Sequence, residues 1–583
     1  MRRSSRKYSS DSGHPLEPGS GNGAAASLPG AGGDLQALQD APAPALSEAP
    51  TRRGIIRRKR RSAATPRASA TWSLLEKLKL PDNAKSGSAY PLQRQFAKYG
   101  LITGVIGTVV FGSLVAGLAF FALFFNAGLL WRREEAPILP FCLSYQWLFA
   151  VVGYLWFVKT GNYPGNEVVG NIRGAVLLSL VGFTCLALGI RFGIRLWEGF
   201  NPKTAARMAG AEPQYGVFFL FLLTFAANLS GLIWKVNPMG MWFGGAQILY
   251  RLLEFKSVLL VLLWITVLRQ GKGYGYAAIA GLLVFVSSFG STMSAFSFAL
   301  MLFLVAALRE WRPWLSGPLD KMKNRRIEAI AVGLVLTVFA MGLVWEGAVK
   351  SVWRGQVLNE EGQLTGQASA REFLQTVREQ SVTLRFEDAL DSVAQRMSSD
   401  ALYFSYVIDR VPAEVPHENG MLTRRALMHV LMPRFLFPNK ENLGSDSWLV
   451  IQYAGVGAAG AEQGTSIGLG YIAEFYIDYG IPWMFLPLLI YGIIIGLSYR
   501  VLQWFSPSHA MWMSAATVMC FGAFASYGGE LAKLFGTLVL CVGIYSIILI
   551  TAGRWLHLGL ATASLGEKRP IRGGVRARPA KQP

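Results

Sequence analysis

The chain has 583 residues, of which 52% are hydrophobic and only 16% charged, and its mean hydropathy is +0.34. These values exclude an ordinary soluble globular protein and fit a multispanning membrane protein. The net charge of +21 would suit nucleic acid, but residues 1–98 carry net +10 and residues 554–583 net +6, so the excess flanks the apolar part, as cytoplasmic tails do.

Residues 1–98 are rich in Ser, Gly, Ala, Pro and Arg and hold too little apolar bulk to fold, so a disordered basic cytoplasmic tail is expected there. The run "RRGIIRRKRR" (52–61) has no aromatic platform beside it, and anionic lipid headgroups suit it better than nucleic acid. A short amphipathic piece, "WSLLEKLKL" (72–80), has the pattern of a membrane-surface helix. The first long apolar run starts near Leu101, so no signal peptide is expected.

Apolar segments long enough to cross a bilayer then follow at 101–130, 138–158, 172–192, 214–235, 246–268, 273–290, 293–308, 328–346, 481–503, 508–528 and 532–553. The expected fold class is all-α: a polytopic membrane protein with about 11–12 transmembrane helices and one large extracytoplasmic (periplasmic) loop containing short helices. The division is 1–98 tail, 99–346 first group of spans, 347–480 loop, 481–553 closing spans and 554–583 basic cytoplasmic tail. Cys142, Cys185, Cys520 and Cys541 all fall in predicted spans, where they read as small apolar packing residues and not as metal ligands or a disulfide framework.

Basic loops belong on the cytoplasmic side. Segment 191–212 has four basic and two acidic residues, and 309–328 and the C-terminal tail are also basic. Links 236–245 and 527–531 carry little positive charge and fit the outside. One conflict stands: a cytoplasmic N-terminal tail followed by three spans would put 191–212 outside, so either the 30-residue first run hides a re-entrant or broken hairpin, or a span near the N-terminus is misread. Within the spans, Arg251, Glu254 and Lys256 need partners or a position near the membrane edge, and Arg251 and Glu254 are spaced to pair.

Segment 347–467 has 11 Lys/Arg and 14 Asp/Glu and lies on the outer side in this topology. "LRFEDALDSVAQRM" (384–397) and "YFSYVIDR" (403–410) read as amphipathic helices, and "VPAEVPHENG" (411–420) as a loop. Arg396 sits near the end of the first helix, an ordinary place for a cation. "LMPRFLFPNKENLGSDSW" (431–448) holds Arg434 and Lys440 between prolines that resist helix. Such a pair suits a phosphate or diphosphate, and equally suits loop anchoring through Glu441 or Asp446. His417 and His429 lack metal-ligand spacing, and His429 is an acid/base candidate.

The segment "EQGTSIGLGYIAEFYIDYG" (462–480) raises a question. Thr465 or Ser466 could cap a helix starting near Leu469. On that helix Glu474 and Asp478 share a face, and like charges at this spacing repel. Either an outside cation such as Arg434 compensates, or a partly buried carboxylate with raised proton affinity serves as a general base.

Taken together, Arg396, "MPRFLFPNK" and "TSIGLGYIAEFYIDYG" leading into a span resemble the Wzy-type oligosaccharide-repeat-unit polymerases, relatives of the O-antigen ligases. One departure is that the family's outer turn between mid-chain spans often carries an Arg, whereas "FGSTMS" here has no cation. The resemblance implies a multi-pass protein of the bacterial inner membrane, with both tails cytoplasmic. Its implied activity is joining polyprenyl-diphosphate-linked oligosaccharide repeat units into a surface polysaccharide, with no metal, nucleotide sugar or other cofactor. It implies Glu474 or Asp478 as base, Arg434 as a further catalytic residue, and Arg396, Arg434 and Lys440 on the diphosphate. His429, Thr465 and Ser466 are supporting candidates. Expected partners are the lipid-linked oligosaccharide, membrane lipids and other polysaccharide-assembly proteins, with no nucleic acid. The competing readings are a transporter or flippase of lipid-linked saccharide, and a non-catalytic subunit of an export complex. A transporter calls for paired repeats and midplane charges, whereas this chain gathers its polar residues in one loop.

Overall fold

A computed structural model describes residues 89–132, 135–200, 214–229, 245–270, 272–287, 302–303, 306, 375, 378–379, 386–432, 436–437, 446–457 and 467–564. The described chain is all-α. Its helices are α1 (Ala89–Phe111), α2 (Leu114–Leu130), α3 (Ile138–Thr160), α4 (Ile172–Phe200), α5 (Gln214–Leu229), α6 (Gly245–Gln270), α7 (Tyr274–Ser287), α8 (Phe386–Arg410), α9 (Met421–Leu431), α10 (Asp446–Leu449), α11 (Tyr471–Tyr479), α12 (Phe485–Phe505), α13 (His509–Phe524) and α14 (Leu531–Ser564). Among the described residues four helices are long and apolar enough to cross a membrane, Ile138–Thr160, Ile172–Glu198, Phe485–Phe505 and Leu531–Thr551, with shorter apolar helices beside them. The expected helix at 72–80, most of the span at 293–308 and all of that at 328–346 lie outside the described residues.

The first apolar run is two helices. Gly112 takes a left-handed backbone (φ +60°) that ends α1, and Ser113 caps α2 by accepting from the Ala116 amide at 3.4 Å. The Ser113 hydroxyl also meets the Tyr154 hydroxyl at 2.7 Å. The two helices then run back together, and Phe96 near the start of α1 lies 5.2 Å from Trp131 just past the end of α2. Arg191 of α4 donates to the Leu129 carbonyl. The start of α1 and the C-terminal part of α4 therefore share one end of the bundle. The hairpin removes the conflict that a single 101–130 span would create.

Helices α4 and α12 cross at backbone distance. Both carry a Gly-x-x-x-Gly pair, Gly189/Gly193 and Gly492/Gly496. A Cβ added at Gly189 would lie 2.2 Å from the Leu489 carbonyl oxygen, and one at Gly492 would lie 2.4 Å from that of Leu186. Small residues at this spacing let two helices associate in lipid, where burying apolar side chains gives no advantage over the lipid itself. On its outer side α12 exposes Leu486, Ile490 and Ile494, one turn apart each, as a lipid-facing stripe requires.

Near the far ends of these two helices the buried Arg500 of α12 binds Glu135 at 2.9 Å and Glu198 at 2.6 Å. Its guanidinium lies 5.4 Å from the Trp512 ring centre, an attractive cation–π arrangement. Arg132 pairs with the same two carboxylates. In α6, Arg251 pairs with Glu254 and donates to Thr537 at 2.8 Å, and Lys256 donates to Asn228 at 2.6 Å. The pairing that the spacing of Arg251 and Glu254 allows is thus formed.

The two amphipathic pieces at 384–397 and 403–410 are one continuous helix, α8. Arg396 accordingly lies in mid-helix and not at a helix end. No glycine or proline interrupts Phe386–Arg410, and Ala394, Ser398, Ala401, Phe404 and Val407 are buried. This helix rests against the ends of α3 and α4: the Tyr163 hydroxyl donates to the Ser398 carbonyl at 3.0 Å, and Asp409 accepts from the Asn171 amide at 3.0 Å.

Gly189→Leu would drive a side chain into the backbone of α12. Overpacking of this kind costs about 1–3 kcal/mol or more. The detergent-solubilised variant is expected to melt well below the wild type in a thermal denaturation assay, while Ile490→Leu on the lipid-facing stripe melts with it.

Candidate functional site

Helix α11 carries the two acids and lies between the end of α8 and the turn joining α13 to α14. Both its boundaries are glycines with positive φ, Gly470 (+87°) and Gly480 (+62°). A Cβ at Gly470 would lie 2.5 Å from the Tyr527 carbonyl oxygen, so only glycine lets the helix start this close to that turn. The N-cap is Gly470, with no side-chain capping bond. Thr465 and Ser466, expected as caps near Leu469, stand outside the described residues and too far ahead of Tyr471 for that role. Tyr471 anchors the helix inside the bundle by donating to Gln146 of α3 at 2.6 Å, and the same Gln146 donates to the Phe524 carbonyl of α13.

The pair of acids has an explanation that the sequence pattern did not offer. Each carboxylate caps the N-terminus of a different helix. Asp478, fully buried, accepts from the Leu422 amide at 2.9 Å, the Thr423 amide at 2.7 Å and the Thr423 hydroxyl, the first turn of α9. Gly420, the residue in the N-cap position of α9, supplies no side-chain bond. Glu474, 4% exposed, accepts from the Leu531 amide at 3.0 Å, the first residue of α14. Helix N-termini present unpaired amides and a partial positive charge. These supply much of what a Lys or Arg would otherwise supply.

The compensation is unequal. Burial raises the Asp478 carboxyl, and its three hydrogen bonds pull the other way. Glu474 has one such bond, and burial together with the neighbouring Asp478 pushes it up to about 8. Two further acids join from elements that sequence reasoning did not connect. Glu530, in the turn just before α14, is pushed up to about 8 by burial and by the charge of Glu474. Asp400 of α8 is raised to about 6 by burial, with Arg396 one helical turn away opposing the rise. The Asp400 carboxylate rests against Gly528, where a Cβ would lie 2.4 Å from its Oδ2. Tyr527 holds the turn to α4 through Ser179 at 2.8 Å. The turn at 526–530 thus gathers carboxyls from α8, α11 and its own end.

Of the predicted site residues, Glu474 and Asp478 sit on α11, and Arg396 is exposed on α8 beside Asp400. His429 lies in the last turn of α9, the opposite end from the Asp478 cap. His417 places Nδ1 3.2 Å from the Ile477 carbonyl oxygen, edge-on to Tyr476, which makes it a packing partner of α11. Arg434 and Lys440 lie outside the described residues. Glu530 and Asp400 are the residues that sequence reasoning missed. Their signals were faint: an acid closing the Gly-Gly turn between two apolar helices, and an Asp four residues after Arg396. Among the described residues no group of three or more His, Cys, Asp or Glu is arranged to hold a metal ion.

A family described as a Domain of unknown function (DUF8712) matches residues 321–507. That stretch includes α8 to α12, and so Arg396, Asp400, Glu474 and Asp478, but stops short of Glu530. Comparisons with curated proteins and with solved structures give no match.

The proton affinity of Glu474 sets a pH dependence. Its carboxyl is raised from 4.5 to about 8 in the fold, so the folded chain binds more protons than the unfolded chain between those values. The stability tied to its neutral form is complete below 4.5 and is lost as pH rises through about 8. Melting temperature is expected to decline over this interval, less steeply in Glu474→Gln, with Glu530 and, up to about 6, Asp400 supplying the remaining slope. Asp478→Ala removes the α9 cap and should cost about 1–2 kcal/mol, read as a lower melting temperature that Asp478→Asn partly restores.

Proposed function

We propose that the chain is a membrane glycan polymerase, which joins polyprenyl-diphosphate-linked oligosaccharide repeat units by glycosyl transfer on the outer side of a bacterial inner membrane. The observation that carries the reading is the cluster at the 526–530 turn, where the buried Glu474 and Glu530 and the half-buried Asp400, all with raised proton affinity, stand with an exposed arginine, Arg396, at the ends of apolar helices. The resemblance of Arg396, "MPRFLFPNK" and "TSIGLGYIAEFYIDYG" to the Wzy-type polymerases supports it from the sequence side. In this reading the basic tails and the segment after α4 are cytoplasmic, and α8 to α11 lie outside.

Glycosyl transfer needs two things from the protein. A base must take the proton of the acceptor hydroxyl as its oxygen bonds to the anomeric carbon of the donor sugar. Cations must stabilise the diphosphate that departs with the electron pair of the broken carbon–oxygen bond. Glu474 belongs to the acid cluster that supplies the base. Arg396 serves the diphosphate, joined by Arg434 and Lys440, the two cations of the proline-bounded element. Asp478, saturated by the α9 amides, holds α9 and α11 together.

The alternative, transport of lipid-linked saccharide, draws on the same protonatable acids. It differs in outcome, because a transport defect leaves repeat units on the cytoplasmic leaflet, whereas a polymerase defect leaves them single on the outer one.

Arg396→Ala, Arg434→Ala and Glu474→Gln, each made in the producing cell, should deplete long chains and accumulate single lipid-linked repeat units. Losses of about 100-fold are expected at unchanged protein level. Polymer synthesis in isolated membranes should rise with pH up to about 8, as Glu474 loses its proton. Normal-length polymer from all three variants would overturn the reading.

A further inference from the structure

Glu530 occupies the position just before α14, and Glu474 reaches the first amide of that helix from α11. Two carboxyls from separate elements therefore meet at one helix start. They differ in how they are used. Glu474 Oε1 is bonded to Leu531. Glu530 is only 9% exposed, and its Oε1 has no hydrogen-bonding partner among the described residues. Beside it the neighbouring segment is backbone: a Cβ at Gly468 would lie 2.6 Å from the Gly528 carbonyl oxygen and 3.6 Å from Glu530 Cγ.

A buried acceptor without a donor is costly, about 1–3 kcal/mol, and such a group awaits a partner that the described residues do not provide. Both carboxyls are raised to about 8, Glu530 in part by the charge of Glu474, and acids whose charges repel one another lose their protons in coupled steps. The elements packed around the pair also carry Asp478 on α11, Asp400 and Arg396 on α8, Arg425 and His429 on α9, and Lys533 on α14.

We propose that Glu530 is a second catalytic residue, whose free Oε1 receives the hydroxyl of the acceptor sugar, and that Glu474 is its proton-sharing partner. The proposal rests on the glycan-polymerase reading and names the contact that reading leaves open. At rest the pair holds one proton and one negative charge. The acceptor O–H donates to Glu530 Oε1. As the acceptor oxygen bonds to the anomeric carbon, its proton passes to Glu530, and the bond from that carbon to the diphosphate oxygen breaks, its electron pair leaving with the diphosphate. The pair, now neutral with both acids protonated, returns one proton to water before the next cycle. Reaction thus removes a buried charge, which favours the forward step.

The test compares Glu530→Gln, Glu530→Asp and Glu474→Gln in membranes of the producing cell, with that cell's own lipid-linked repeat units as substrate and chain length followed against pH. Glu530→Gln and Glu474→Gln should each lower polymer synthesis about 100-fold, with Glu530→Asp retaining more than Glu530→Gln. The alkaline limb, set by loss of the shared proton as the second carboxyl ionises beside the first, should move up or vanish in each Gln variant, because the surviving carboxyl has neither a like-charged neighbour nor a proton to share. A purely structural role would not move that limb. Wild-type rate and pH profile in Glu530→Gln, beside an inactive Glu474→Gln, would sink the pair while the polymerase reading stands. Normal polymer from both Gln variants and from Arg396→Ala would sink both. If Glu530→Gln fails to accumulate, infrared titration of the purified Asp400→Asn chain decides, since Asp400 would otherwise lose its own proton near pH 6. Carboxylic C=O absorbance lost in two steps between about pH 6 and about pH 9 supports the pair, and its absence there overturns it.

Discussion

The backbone contact between α4 and α12 governs the rest of the bundle. Four glycines bring two long helices close enough for carbonyls to stand where side chains otherwise would. That contact fixes both ends at once. At one end it brings Arg500 to Glu198 across the helix pair, with Glu135 joining from the link between α2 and α3. At the other it sets α12 just after α11, and so sets the depth at which Glu474 and Asp478 stand. Two long apolar helices have no other reason to adopt this spacing in lipid, where leucine against leucine is no better than leucine against an acyl chain.

The acids of α11 show how a polar group can be buried for opposite purposes. Asp478 is saturated: three donors from the start of α9 meet it, and it fastens a surface helix to a buried one. Glu474 is held by a single amide and keeps a high proton affinity. Four residues apart on one helix, the first is an architectural brace and the second remains chemically responsive. The difference comes from how many N–H groups each receives and not from the residue type.

Much of the architecture was legible in the sequence. Span-length apolar runs gave α3, α4, α12 and α14 closely, because twenty consecutive apolar residues leave little alternative to a spanning helix. The broken hairpin was legible as a conflict of charge and parity, although its location at Gly112 needed the backbone. Helix α8 was read as two pieces because its apolar stripe weakens around Ser398 and Ser399. Those serines bond back to carbonyls within their own helix, Ser398 to Gln395 and Ser399 to Arg396, so polar residues continue it. The site was half legible. Glu474 stood out as an acid with no i,i+4 counter-charge, but its partner is an amide 57 positions away, which no local pattern reports. Glu530 and Asp400 escaped for the same reason: their proximity to the 526–530 turn is made by tertiary packing.

The hairpin at Gly112 has a consequence for how such a chain can change. Because α1 and α2 leave the bundle at the end where they entered, they add an even number of passes. The apolar outer positions of α1, Leu101, Val105 and Val109, face away from the protein. A unit of this kind can be gained, lost or exchanged without inverting anything downstream of it. An odd insertion at the same place would turn the 526–530 acids to the opposite compartment. The Gly112–Ser113 break, by stopping one helix and starting the next, keeps the handedness of the whole assembly with respect to the bilayer.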